Sequence, residues 1–306
     1  MKVAFAGTPD FAATVLRGLH ASKHEIGLVI SQPDARRGRG RRPSPTPVAQ
    51  LARATGLPLR QPNRIAEAAE EISDHDALVV AAYGQILTPD TLYAAPHGAY
   101  NVHASLLPAY RGPAPIERAI MAGERKSGVT IMLMDEGLDT GPIALQRSVP
   151  ITSQTTGGDL ADLLAEIGSN SMIEVLTSLE RSSLTLKEQD SLYATYAPKI
   201  SREERVIRWE VGAGEIHDLV RALAPHIGAR TYHAEVDGPI KILESKIPEK
   251  EILSLSPGEI YAAKGQILVG CGYGVLRVLR LQFPGAKPLS TAQFLLGNTI
   301  EGSFAV

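Results

Sequence analysis

The sequence predicts an α/β domain built on a mostly parallel sheet, followed by a smaller antiparallel β domain. Three observations carry this expectation. The chain has 306 residues, enough for about two domains. Its first half alternates continuous apolar runs with helical patterns, as parallel strands covered on both faces do. Beyond about residue 223 the pattern changes to short alternating runs broken by Gly, Pro or Asp, which suits a small barrel or sandwich.

Residues 3–6 read as a short buried strand. Thr8 is a candidate helix cap with Pro9 at the first helical position, where no N–H is needed, and the helix runs to about His20 with Phe11, Val15 and Leu19 on one face. Residues 26–30 form a second strand. A helix follows Pro47 and ends near Gly56. Three further strands are expected at 77–82, 100–103 and 129–134, and a long amphipathic helix at 158–179. Residues 182–191 are polar and poorly patterned. The expected division is therefore a first domain over 1–181, a linker over 182–203, and a second domain over 204–306. That second domain would carry a helix at 215–223 and strands at 231–236, 240–244, 258–263, 266–270 and 275–281.

Composition narrows the classes. Apolar residues make up 44 % and charged residues 21 %, with a formal net charge of −2, so any polyanion contact must come from a local cluster. The single cysteine, Cys271, cannot form an internal disulfide, and no Cys/His spacing resembles a zinc site. The opening apolar run is too short for a signal peptide. The longest aliphatic run, 77–83, falls far below the ~20 residues that span a bilayer. These features predict a cytoplasmic protein with no membrane segment and no metal.

Two strand ends carry polar groups suited to chemistry, since open parallel sheets bind ligands beyond the carboxyl ends of their strands. In Tyr100-Asn101-Val102-His103, alternation puts Asn101 and His103 on one face and Val102 on the other. The other end, Met134-Asp135-Glu136-Gly137-Leu138-Asp139-Thr140-Gly141, supplies carboxylates. An amide and an imidazolium can hold the oxyanion that forms when an amine attacks a carbonyl, with about 10²–10³ in rate for one donor. A neighbouring carboxylate fixes the ring and favours its charged form. No nucleophile elbow is present, which favours direct transfer over a covalent intermediate. Spacing alone does not choose among Asp135, Glu136 and Asp139.

Phe5-Ala6-Gly7-Thr8-Pro9-Asp10-Phe11, Gln32-Pro33-Asp34, Ala82-Tyr83-Gly84, Asn101-Val102-His103, Ser105-Leu106-Leu107-Pro108, Tyr110-Arg111-Gly112, Gly128-Val129-Thr130-Ile131-Met132 and Gly137-Leu138-Asp139-Thr140-Gly141 stand in this order along the chain. Together they carry a resemblance to the methionyl-tRNA formyltransferases. It continues more loosely through Tyr196-Ala197-Pro198-Lys199-Ile200 to Trp209 and covers nearly the whole chain. It implies a Rossmann-like formyltransferase domain, a small OB-like barrel, 10-formyltetrahydrofolate as donor, and initiator methionyl-tRNA as acceptor, in a monomer. Position by position it implies a catalytic trio: Asn101 and His103 hold the oxyanion, and Asp139 pairs with His103 and assists removal of the amine proton. Ser105, Leu106, Leu107 and Pro108, with Tyr83 and Gly84, fall where the family meets the folate.

The sequence departs from the family pattern at Ala104, where Gly is usual, at Pro142, at Ala224-Pro225-His226-Ile227-Gly228 and in its short C-terminal tail. Arg36, Arg37, Arg39, Arg41 and Arg42 fall within seven residues and end at Pro43, a charge density suited to phosphate. The loop follows the second strand, and in the resemblance it is the segment that enters the tRNA acceptor stem, with Arg39 at the matching position. The second domain holds 11 basic and 11 acidic residues from Glu204 onward and adds no net positive charge.

Other classes compete. An amino-sugar-nucleotide formyltransferase or a formyltetrahydrofolate hydrolase would share the trio. A dinucleotide oxidoreductase is disfavoured by the first turn, which has one glycine and no G-x-G-x-x-G. A non-catalytic RNA-binding module leaves the polar strand ends unexplained.

Overall fold

The computed structural model describes residues 1–36, 43–249 and 253–305, without the side chains of Arg36 and Pro43. Two compact units result. One comprises Met1–Pro115, Lys126–Pro150 and Ala161–Ala197; the other comprises Ile116–Arg125, Ile151–Leu160 and Pro198–Val306.

The first unit contains β1 (Lys2–Gly7), α1 (Asp10–His20), β2 (Glu25–Ile30), α2 (Pro47–Thr55), β3 (Leu59–Arg60), β4 (Ala77–Ala81), β5 (Ala99–His103), β6 (Lys126–Leu133) and β7 (Ile143–Pro150). Most of α3 (Gly157–Glu180) also belongs to it. The seven strands lie in the order β3-β2-β1-β4-β5-β6-β7. The first five are parallel; β6 pairs antiparallel with β5, and β7 pairs antiparallel with β6, so that β6 alone runs against the rest. Residues 3–6 and the whole of β4 are buried, because helices cover both faces. The core beneath the site combines Ala4, Ile30, Ile65, Leu78, Tyr83 and Leu92.

Local chemistry sets the helix ends. Thr46 caps α2, its hydroxyl accepting from Ala49 N at 3.1 Å, with Pro47 at the first position; Gly56 closes the helix with φ +70°. The expected Thr8 cap on α1 does not form. Pro9 is the N-cap residue, and the Thr8 hydroxyl instead donates to the Tyr83 carbonyl at 2.8 Å, fastening the first turn to the loop after β4. The strand β7 was not expected from the sequence, since its residues are mostly half-buried or exposed and give no continuous apolar run.

The second unit holds α4 (Ala213–Leu223) and β8 (Ala229–Thr231), β9 (Ile240–Lys246), β10 (Ile260–Ala263), β11 (Gln266–Gly270), β12 (Val275–Gln282) and β13 (Leu289–Ser290). The strands pair antiparallel in the order β8-β9-β12-β11-β10, with β13 against β12. Among the described residues no ladder joins β8 to β10. Trp209 is fully buried, stacks on Phe304 with ring centroids 5.5 Å apart, and donates from its indole to Thr231 at 2.9 Å.

Candidate active site

Strand β5 carries Asn101 and His103 on one face, with Tyr100 and Val102 on the other. His103 is 6 % exposed. Its Nε2 lies 3.0 Å from the Tyr110 carbonyl oxygen. A carbonyl only accepts, so Nε2 carries the proton and Nδ1 is the nitrogen left for the site. Nδ1 lies 3.7 Å from Asp139 Oδ2, within ion-pair reach. The same Oδ2 accepts from the Gly112 N–H at 2.8 Å. Asn101 is half-buried, and no described residue engages its amide in a hydrogen bond.

The structure changes how the carboxylate reaches this place. The sequence reading put both polar segments at neighbouring carboxyl ends of parallel strands. Strand β6 runs antiparallel to β5, with Leu133 opposite Tyr100 and Thr130 opposite His103. Its carboxyl end therefore lies beside the amino end of β5, where Met134 N donates to Ala99 O. Residues 134–142 must fold back along the sheet to bring Asp139 to His103. Asp135 ties this turn, its Oδ1 accepting from Gly137 N and from Thr140 Oγ1 at 3.0 and 2.7 Å. Glu136 is exposed. Among the three acids, then, Asp135 is the turn's staple and Asp139 is the one that meets the histidine.

The backbone is held in unusual conformations around this point. Among the described residues five non-glycines have left-handed φ, and three of them flank the site: Ala82 (+42°), Tyr110 (+61°) and Asp139 (+53°). Each costs roughly 1–2 kcal/mol that the surroundings must supply, a pattern common at functional sites. Gly112 has φ +116°, and a Cβ there would press on the Ala197 carbonyl. Ala104, where the family favours glycine, has no positive φ, so its methyl is accommodated without backbone strain.

The segment expected to meet folate is tied down by hydrogen bonds. Thr130 Oγ1 donates to Ser105 O at 2.7 Å and accepts from Leu107 N at 3.1 Å; Gln146 Nε2 donates to Leu107 O at 2.8 Å. Ser105 and Leu107 are buried, whereas Leu106 and Pro108 are half-buried. Gly84 is exposed with φ +87°. The Tyr83 ring packs into the core, its hydroxyl has no partner among the described residues, and burial, followed by the charge of Glu67, pushes its pKa up to about 12. At the surface Tyr83 therefore contributes backbone, and its carbonyl already accepts from Thr8 and from Gln32 Nε2. Ile86, in the same loop, is 93 % exposed and is the apolar side chain the sequence reading passed over. Residues 37–42, and with them Arg37, Arg39, Arg41 and Arg42, lie outside the described residues, as does the Arg36 side chain.

Sequence reasoning also missed the segment from Lys187 to Ala197. It pairs with Ile143, Arg111 and Gly112's neighbourhood through Lys187, Thr195 and Ala197, and its Gln189 binds the Asp139 turn. A polar stretch with no periodicity gives no signal of such a role.

The chain as a whole matches known proteins. The Formyl transferase profile matches residues 1–176, and the Formyl transferase, C-terminal domain profile matches 199–299. The chain is 63 % identical to the methionyl-tRNA formyltransferase of Rubrobacter xylanophilus over 303 residues, covering 99 % of both chains. It is 43 % identical to that of Methylobacillus flagellatus over 305 residues, covering 98 % of this chain and 97 % of the relative. The fold also matches an N-formyltransferase from Helicobacter canadensis, solved with folinic acid and dTDP-3-aminofucose. That match has a TM-score of 0.71 at 18 % identity and covers 94 % of this chain and all of that one.

Proposed function

The chain belongs to the methionyl-tRNA formyltransferase family, and on that premise we propose that it moves the formyl group of 10-formyltetrahydrofolate onto the amino group of initiator methionyl-tRNA. The product is formylmethionyl-tRNA for translation initiation. The observation that carries this reading is the approach of Asp139 to His103 beside the unengaged amide of Asn101.

In this reading the methionyl nitrogen attacks the formyl carbon and the carbonyl electrons pass to oxygen. The Asn101 amide and His103 Nδ1–H donate to that oxyanion, while Tyr110 O keeps Nε2 fixed. Asp139 balances the imidazolium and assists removal of the proton from the attacking amine. Collapse of the intermediate breaks the bond from carbon to folate nitrogen, which takes a proton as it leaves. The pinned stretch Ser105, Leu106, Leu107 and Pro108, with the loop at Tyr83, Gly84 and exposed Ile86, offers the folate an apolar wall and fixed backbone. Arg36, Arg37, Arg39, Arg41 and Arg42 supply the phosphate contacts to tRNA. The enzyme acts in the cytoplasm as a monomer; no described helix is long and apolar enough to cross a membrane.

The test is an assay with 10-formyltetrahydrofolate against methionyl-tRNA, free methionine and an amino-sugar nucleotide. Turnover on methionyl-tRNA alone is expected, and turnover on the sugar nucleotide alone would end the proposal.

A further inference from the structure

Gln189 lies half-buried in an otherwise exposed stretch of chain. Its side-chain NH₂ donates to two carbonyls of the Asp139 turn, Asp139 O at 2.9 Å and Gly141 O at 2.8 Å. Its Oε1 accepts from Arg111 Nε at 3.2 Å and Nη2 at 2.8 Å. All four contacts point at the two segments that meet around His103. Arg111 follows Tyr110, whose carbonyl fixes His103 Nε2, and precedes Gly112, whose N–H holds Asp139 Oδ2.

Arg111 is only 3 % exposed, and among the described residues no carboxylate lies within ion-pair distance of it. Burying a guanidinium against a neutral amide is costly, since a buried charge ordinarily demands an ionised partner. A carboxylate at position 189 would satisfy Arg111 better. It would also turn an oxygen toward two carbonyl oxygens, and every atom there would be an acceptor. Only an amide serves both sides at once, donating to the strained Asp139 turn and accepting from Arg111.

We propose that Gln189 is a positioning residue for formyl transfer: its amide ties the Asp139 turn to Arg111 and so keeps the Asp139 carboxylate against His103 and Gly112. This inference rests on the catalytic reading of Asp139. The Gln189 amide is spent on protein groups; it acts through the backbone of residues 139 and 141, where Asp139 sits at φ +53° and has reason to relax away.

The experiment compares Gln189→Glu, Gln189→Ala, Asp139→Asn and the Q189E/D139N double variant in the full chain, measuring kcat and KM for methionyl-tRNA and the thermal midpoint. Displacement of a reacting group by about 1 Å costs on the order of a hundredfold, so Q189E should lose at least about tenfold in kcat with KM changed by less than about threefold. Its midpoint should stay at or above the parent's, because Arg111 gains an ionised partner, whereas Q189A should melt lower. In the double variant Q189E should add little to the D139N loss, since both act through one carboxylate. Q189E at the parent's kcat beside a slow D139N would overturn this inference alone, as would independent losses that multiply in the double variant. D139N at the parent's kcat would remove Asp139 from the mechanism and this inference with it. Should Q189E fail to fold, Q189A is read by the same kcat criterion.

Discussion

Each unit of the molecule buries a histidine to the same degree, 6 % exposed, and the two have opposite surroundings. In the second unit both ring nitrogens of His217 are engaged at hydrogen-bond distance, Nδ1 to Ser245 Oγ at 3.0 Å and Nε2 to Ser153 O at 2.9 Å. In the first unit one nitrogen of His103 is fixed at 3.0 Å, and the other faces a carboxylate at 3.7 Å, beside an amide that no described residue engages and under a turn in left-handed backbone. Burial alone does not distinguish the histidine proposed to react from the one held in place. What distinguishes them is whether the hydrogen-bonding capacity is spent inside the protein or left facing a place where charge will develop.

The comparison can be broken by exchange of roles. His103→Ala should lower kcat on methionyl-tRNA at least about a hundredfold while leaving the fold intact by circular dichroism. His217→Ala should leave kcat within about twofold and cost about 1–3 kcal/mol in urea-induced unfolding, because Ser245 and Ser153 each lose a buried partner. A catalytic loss at 217 without a stability loss would invert the assignment.

Two further expectations sharpen the division between the units. Neutralising Arg36, Arg37, Arg39, Arg41 and Arg42 should weaken tRNA binding. It should also lower the slope of log K against log salt by about 0.7–0.9 for each phosphate contact removed. An unchanged slope would leave tRNA contact to the charge-balanced second unit. In that unit the Glu204 carboxyl is held down to about 2, chiefly by its hydrogen bond from Arg118, whose Nη1 lies 2.6 Å from Oε1. A folded pKa below the unfolded one stabilises the protein above the ordinary carboxylate range, and that contribution is lost as pH falls from there toward 2. Arg118→Ala should therefore narrow the stability gap between pH 6 and pH 3 by about 1 kcal/mol or less, the pair being partly exposed. The smallest change is expected at Tyr83→Phe. Its hydroxyl is buried with no partner among the described residues, so removing it should leave the midpoint unchanged or raise it.

The segments most legible in the sequence were those governed by local rules. The continuous apolar runs of β1, β2 and β4 read as covered strands, and Pro47 with Gly56 bracketed a helix, because helix ends and turns depend on neighbours a few residues away; the Thr46 cap went unread. The pairing of Asn101 with His103 on one face followed from strand alternation alone. Thr8 shows where local rules stop: its hydroxyl could cap a helix, but a carbonyl 75 residues away took it instead.

By itself the sequence therefore determined most of the order of elements, the shared face of Asn101 and His103, and the family, whose resemblance already singled out Asp139. Tertiary structure decided that β7 completes the sheet, that β6 turns antiparallel, and that its following loop doubles back to bring Asp139, rather than Asp135 or Glu136, to the ring. It also decided that a patternless stretch should clamp the site through Gln189. The physical reason is one of range. Periodicity and capping are settled within a turn or two of chain, whereas a strand's direction and a side chain's partner depend on groups brought together only when the sheet has formed.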